Sequence, residues 1–202
     1  MITYEFLQNL KNIPRIERRK IFLVLKLFKK LDKDISAFQN VSKMKCLEGC
    51  GKCCENPNIE VTMLDMMPLA LSFLKERGTI DGMPSEGVCQ FYVSDPLVAH
   101  NGRCSVYPLR PITCRLFGFA ARMSKHRKPE LVTCRRIKET FGKDVKRTQE
   151  WIDQGLEVPL MTKYSAEAYD IDPQLATQYY PINKAFKLAL EKMSLILRYR
   201  EK

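Results

Sequence analysis

Four thiols fall within nine residues, at Cys46, Cys50, Cys53 and Cys54, with Gly49 and Gly51 between them. This is the feature that most constrains the chain. Glycines relax the backbone limits on φ, so a tight loop of this kind can aim several sulfurs and N–H groups at one centre. Four more cysteines follow, Cys89, Cys104, Cys114 and Cys134. Eight in 202 residues is about 4%, well under the density of small disulfide-built scaffolds. Cysteine clusters in a reducing compartment more often hold metal or do redox work than form structural disulfides. Thiolates select Zn²⁺, Cu(I) or iron–sulfur clusters and disfavour Mg²⁺ and Ca²⁺. Neighbouring side chains in extended chain point opposite ways, so Cys53 and Cys54 fit two centres, or a cluster with several metal corners, better than one zinc tetrahedron. Two four-cysteine sites are arithmetically available, and so is one cluster plus a redox-active or spare set.

The rest of the composition is that of an ordinary globular chain, 45% hydrophobic and 28% charged, long enough for one domain over 1–202 with its own core. No basic n-region with an apolar stretch opens the chain, and the longest apolar run, Ile21 to Phe28, is broken by Lys26. The expectation is a soluble, cytoplasmic protein. Lysines and arginines number 34 against 23 acidic residues, for a formal charge of +11. Such an excess suits an anionic partner, nucleic acid or lipid surface, and also balances thiolates: four of them around Zn²⁺ or a 2+ iron–sulfur core carry about −2.

Three parts follow from periodicity. Residues 1–45 read as a basic amphipathic helical segment: from Pro14, helical spacing puts Ile16, Ile21, Leu23, Val24, Leu27, Phe28, Leu31, Ile35 and Phe38 on one half, and Arg15, Arg18, Arg19, Lys26, Lys29, Lys30 and Lys33 on the other. Residues 46–142 form an irregular cysteine-rich core. There, Ile59 to Thr62 alternates like a strand, Thr62 with Asp65 opens a helix ending near Gly78, and Pro68 falls early enough in it to be tolerated. Cys89 to Val93 and Arg103 to Tyr107 pair as a hairpin across a loop with Asn101-Gly102. Leu116 to Ala120 reads as another strand, and Cys134 to Phe141 starts a helix continuing to Trp151. Residues 143–202 are helical, punctuated at Asp172-Pro173 and Tyr180-Pro181. The last helix carries a core stripe of Ile182, Phe186, Ala189, Leu190, Met193, Ile196 and Leu197. Leu188, Leu195 and Tyr199 make a smaller stripe, where a homodimer contact would lie. The fold class is therefore mainly α with a small β element, a cysteine-rich metal-binding core flanked by N- and C-terminal helices.

Around the thiols, Lys52, Arg110 and Arg115 are placed to offset anionic sulfur, and Lys52 and Arg110 also read as ordinary surface charge and a structural salt bridge. Tyr107 reads as a core tyrosine. His100 and His126 are the only histidines, and a lone loop histidine is more often solvated than a ligand. Ser/His/Asp sets and paired-carboxylate constellations do not rise above chance.

The run Cys46 to Cys54, the isolated Cys89, the stretch from Cys104 through Tyr107, Arg110 and Pro111 to Cys114 and Arg115, and Cys134 followed by Arg135 and Arg136 resemble the YkgJ-type cysteine-cluster family. The resemblance spans roughly residues 46–142. It departs in the first spacing, with three residues between Cys46 and Cys50 where two are commoner. It implies a zinc- or iron-chelating domain with Cys46, Cys50, Cys53, Cys54, Cys89, Cys104, Cys114 and Cys134 as candidate ligands. The cofactor it implies is an iron–sulfur cluster, [4Fe–4S] foremost, or zinc. Related cysteine motifs occur in flagellin lysine N-methylases, which makes a protein-lysine methylase-like enzyme one reading of the chain. No G-x-G-x-x-G after a strand and no P-loop supports it. The C-x-x-x-C-x-x-C spacing of radical S-adenosylmethionine enzymes is present at Cys46, Cys50 and Cys53, but a helical stretch precedes it and too few strands follow for their barrel. The leading expectation is a metal protein with a redox or protein-modifying role on a protein partner yet to be identified. Its rival is a zinc-stabilised adaptor that holds nucleic acid or an acidic surface through the N-terminal helix.

Overall fold

The computed structural model describes residues 13–77, 84–98 and 101–198. Among these, eight α-helices surround three two-stranded antiparallel sheets, the mainly α architecture expected. Helix α1 (Arg15–Ser42) starts after Pro14, whose fixed φ suits a helix entry, and ends at Lys43 in the left-handed conformation. It buries Ile21, Val24, Leu27, Phe28, Leu31, Ile35 and Phe38. Ile16, at the margin of that half and in the first turn, is instead 63% exposed among the described residues. The basic half faces solvent at Arg15, Arg19, Lys26, Lys29 and Lys33. Lys20 and Lys30 are engaged in ion pairs, with Asp172 at 2.8 Å and with Glu167.

Strand β1 (Glu60–Thr62) runs into helix α2 (Met63–Arg77), and the Thr62 hydroxyl accepts the Asp65 N–H at 3.2 Å, a side-chain cap on the first turn. Pro68 lies inside this helix. The expected end at Gly78 lies outside the described residues. A hairpin of β2 (Tyr92–Ser94) and β3 (Gly102–Cys104) pairs Tyr92 with Cys104, the pairing expected, in strands shifted from the expected ranges. Leu116 to Ala120 is not a strand. Helix α3 (Ile112–Leu116) follows Pro111, Gly118 turns at φ +92, and strand β4 (Ala120–Met123) begins where the strand was expected to end. It pairs with β5 (Pro129–Val132).

The single helix expected from Cys134 to Trp151 is two, α4 (Arg135–Thr140) and α5 (Gly142–Asp153). They hinge at Phe141, whose φ −116, ψ 30 is non-helical, next to a glycine with poor helix propensity. Helix α6 (Met161–Ile171) and the short α7 (Pro173–Ala176) precede β6 (Tyr179–Pro181) and the last helix, α8 (Ile182–Arg198). β6 pairs with β1, Val61 opposite Tyr180, so α2 and α8 leave one sheet together and pack on each other. Phe186 of α8 meets Phe73 and Phe91 edge-on, with centroids 5.5 and 4.8 Å away. The core stripe of α8 is buried from Ile182 to Met193, with Ile196 and Leu197 packed against it. Leu188 is half-buried and Leu195 exposed, while Tyr199 lies outside the described residues. Among the described residues no helix is long and apolar enough to cross a membrane.

Candidate metal centre

All eight cysteines are free thiols, and five segments of chain bring them to one region. The loop after α1 supplies Cys46 and Cys50, and a 3₁₀ turn, Lys52–Glu55, presents Cys53 and Cys54 with their sulfurs 4.0 Å apart. The hairpin is docked on this loop by backbone bonds: Gly102 N–H donates to Gly49 O at 2.7 Å, and Cys89 N–H to Cys54 O at 3.4 Å. Tyr92 fills the gap between them. A Cβ at Gly51 or Gly102 would meet its ring at 2.2 or 2.4 Å, so both positions need glycine for this close approach. Its hydroxyl donates to Asn101 O at 2.9 Å.

Asn183, buried on α8, holds the segment that leads to Cys89. Its Oδ1 accepts the Gln90 N–H at 3.0 Å, while its Nδ2 donates to Glu86 O and Val88 O, each at 3.0 Å. Cys114 sits in α3, and Cys134 caps α4, its Sγ accepting the Ile137 N–H at 3.4 Å. Asn183 and Tyr92 carry no signal in the sequence, because each acts on residues brought near only by the fold.

The thiols lie in two groups that share Cys53. Cys46 is exposed as a residue, yet partial desolvation of its thiol pushes it up to about 11, and its thiol neighbours are Cys50, Cys53 and Cys134. Burial likewise raises Cys89, Cys104 and Cys114, whose thiol neighbours are one another and Cys53. Cys54, raised first by its hydrogen bond with Cys53, has Cys89 and Cys104 beside it. Cys53 stands between the sets, held down to about 6 chiefly by that hydrogen bond from Cys54, with Arg110 helping. Cys53 thus borders both groups, Cys46 with its neighbours on one side and Cys89, Cys104 and Cys114 on the other. Among the described residues no three His, Cys, Asp or Glu side chains lie close enough together to hold a metal ion.

Two arginines reach the thiols. Arg136 donates to Cys50 Sγ at 3.3 Å. Arg110 lowers Cys53 and, against burial, Cys104 and Cys114, and its Nε is buried without a partner. A buried, orphaned donor beside half-buried thiols fits an anionic thiolate centre, and so does a donor set made wholly of sulfur.

Arg115 is committed elsewhere. It is 2% exposed and donates to Arg110 O at 2.8 Å, to Pro108 O at 2.6 Å and to Asp32 of α1, with its guanidinium 4.3 Å from the Phe28 ring centre. It locks the 108–115 segment to α1 rather than chiefly balancing sulfur. Arg110 also reaches Asp32, at 3.9 Å, as a structural salt bridge would. Tyr107 is not a core residue. It is 57% exposed, with the Arg110 guanidinium 4.0 Å above its ring, because the Tyr107–Leu109 3₁₀ turn carries it to the surface. Lys52 is exposed and pairs with Glu55 at 2.8 Å. His126 is exposed in the turn between β4 and β5, and His100 lies outside the described residues.

Residues 45–144 match the family model CxxCxxCC, described as "Putative zinc- or iron-chelating domain". No curated protein and no solved structure matches the chain. The matched segment runs from just before Cys46 to just beyond Cys134, so it takes in all eight thiols and both site arginines.

Proposed function

Taking the cysteine-bearing half of the chain as a member of that zinc- or iron-chelating family, we propose that it is an iron–sulfur protein with two four-thiolate centres. Cys46, Cys50, Cys53 and Cys134 would hold one, and Cys54, Cys89, Cys104 and Cys114 the other. The carrying observation is the convergence of eight free thiols from five segments of the chain, with Arg136 on Cys50 and Arg110 beside Cys53, Cys104 and Cys114. In that division consecutive Cys53 and Cys54 would serve different centres, which suits neighbouring thiols better than one tetrahedron.

The backbone N–H of Ile137 reaches the sulfur of Cys134 at 3.4 Å. Hydrogen bonds to sulfur set the potential of an iron–sulfur centre. When bound, the clusters would supply one-electron chemistry. The chain's own part is to place the thiols, offset their charge with Arg110 and Arg136, and keep all but the exposed Cys46 at least half-buried.

Anaerobic purification followed by metal and acid-labile sulfide analysis tests this. Roughly eight iron and eight sulfide per chain, with visible sulfur-to-iron absorption, is the result expected for two [4Fe–4S] centres. About two zinc per chain and no sulfide would keep the thiolate sets and refute the clusters.

A further inference from the structure

Residues 122–147 hold ten lysines and arginines against three acidic residues, so this stretch supplies seven of the chain's eleven net positive charges. Its three acids are already paired inside it, Glu130 with Arg122, Glu139 with Arg135 and Asp144 with Arg147. Lys125, Arg127, Lys128, Lys138, Lys143 and Lys146 are exposed and, among the described residues, have no ion pair. The β4–β5 ribbon presents the densest part. Its turn is closed by the Ser124 N–H on Lys128 O at 2.9 Å and the Arg127 N–H on Ser124 O at 3.0 Å, and the Ser124 hydroxyl accepts the Lys128 N–H at 3.2 Å. At the base, the Ala121 N–H donates to Pro159 O at 2.8 Å, while Gln149 of α5 accepts the Leu131 N–H at 2.9 Å and donates to Pro129 O at 3.1 Å. Both edges are thus braced, and Lys125, His126, Arg127 and Lys128 at the tip are all exposed. Lys146 and Lys143 precede Gln149 at three-residue steps, so the basic surface continues from the ribbon along α5.

Arg127 stands at φ +58, in the left-handed position of a three-residue hairpin loop that glycine fills without strain. Keeping an arginine there, between other cations, works against local stability, and such departures concentrate at functional positions. We propose that the β4–β5 ribbon and the N-terminal half of α5 bind duplex DNA, with the ribbon tip in the major groove and the α5 lysines on the flanking phosphates. Charge complementarity selects a polyanion, and the shape of the patch selects this one. A two-stranded ribbon fits the B-form major groove, about 12 Å wide, but not the narrow one of A-form RNA. Single strands call for aromatic platforms, and membrane surfaces for large apolar groups beside the charges. Among the described residues between 122 and 147, the only exposed large hydrophobic one is Met123. The proposal does not rest on the identity of the metal, although the ribbon leads into Cys134.

Fluorescence anisotropy of a mixed-sequence DNA duplex of about 20 base pairs, titrated with the full metal-loaded chain across a salt series, tests the proposal. Log affinity against log salt should fall with a slope of about −4 to −5, as for about five neutralised phosphates. Lys125→Glu combined with Lys128→Glu should weaken binding at least about tenfold. Lys26→Glu combined with Lys29→Glu, at exposed positions of α1 and with the same change of net charge, should stay within about threefold of the parent. That pair separates this patch from net charge and from the basic half of α1. Arg127→Gly should weaken binding at least about threefold while its urea midpoint equals or exceeds the parent's, so that binding is lost without loss of folding. Metal content, unchanged in each variant, separates loss of this surface from loss of the thiol centres. Unlabelled single strand, RNA duplex, poly-L-glutamate and phosphatidylserine vesicles should each compete more weakly than unlabelled DNA duplex. Equal competition by any of them, a flat salt dependence, or full binding by either ribbon variant overturns the proposal.

Discussion

Replacing Arg115 by methionine should cost about 3–5 kcal/mol, and the structure says where it goes. The guanidinium donates to two main-chain carbonyls, of Pro108 and Arg110. Charge-assisted bonds of this kind contribute about 1.5–3 kcal/mol each, and the lower figure applies because Pro108 itself is exposed. Stacking on Phe28 adds about 1 kcal/mol. The ion pair adds at most about 1 kcal/mol, since the Asp32 side chain is 49% exposed and water screens it. Asp32→Asn should therefore cost only about 1 kcal/mol, and Arg115→Lys, which keeps the charge but not the fork, should fall between.

Anaerobic urea unfolding of the metal-free chain, followed by far-UV circular dichroism, measures these differences without coupled metal release. The same variants should lose metal, because the tethered segment from 108 to 115 carries Arg110 and Cys114. Arg115→Met within about 1 kcal/mol of the parent, or Asp32→Asn as damaging as Arg115→Met, would refute the reasoning.

Arg136→Gln removes the charge that touches Cys50 Sγ at 3.3 Å; it should lower metal affinity or, in a loaded centre, the reduction potential, while leaving the second thiol set loaded, as metal analysis and electrochemistry would read. Gly102→Ala puts a methyl into both Tyr92 and the Val93 carbonyl, 2.4 and 2.5 Å away, and should cost about 1–3 kcal/mol with a lower urea midpoint and loosened metal. Asp65, raised by burial from 3.8 to about 7, keeps its proton in the folded chain where the unfolded chain has lost it. Its contribution is present below pH 3.8 and lost as pH rises through about 7, by up to about 4 kcal/mol. Urea midpoints of Asp65→Asn measured from pH 4 to 8 should lack that decline; an identical slope in both proteins would disprove it.

Local chemistry was legible in the sequence because it repeats over short distances. Helical spacing located α1 and α8 and their buried stripes, Thr62 and Asp65 marked the start of α2, and the residues flanking Asn101-Gly102 marked the hairpin. Clustered cysteines pointed to metal without any fold, since soft thiolates choose soft partners whatever scaffold bears them. Local reading failed where tertiary surroundings overrode it. Ile16 has the right residue type but is exposed among the described residues, Tyr107 is lifted to the surface by its 3₁₀ turn, and Phe141 breaks a pattern that reads as continuous.

The β1–β6 pairing, the Asn183 clamp on the approach to Cys89 and the Asp32–Arg115 lock were settled only in three dimensions. Each joins residues tens of positions apart, and no periodicity encodes which distant partner a buried polar group will meet. That choice follows from burying the apolar faces of α1, α2 and α8 together, after which every polar group left inside must find a donor or acceptor within reach.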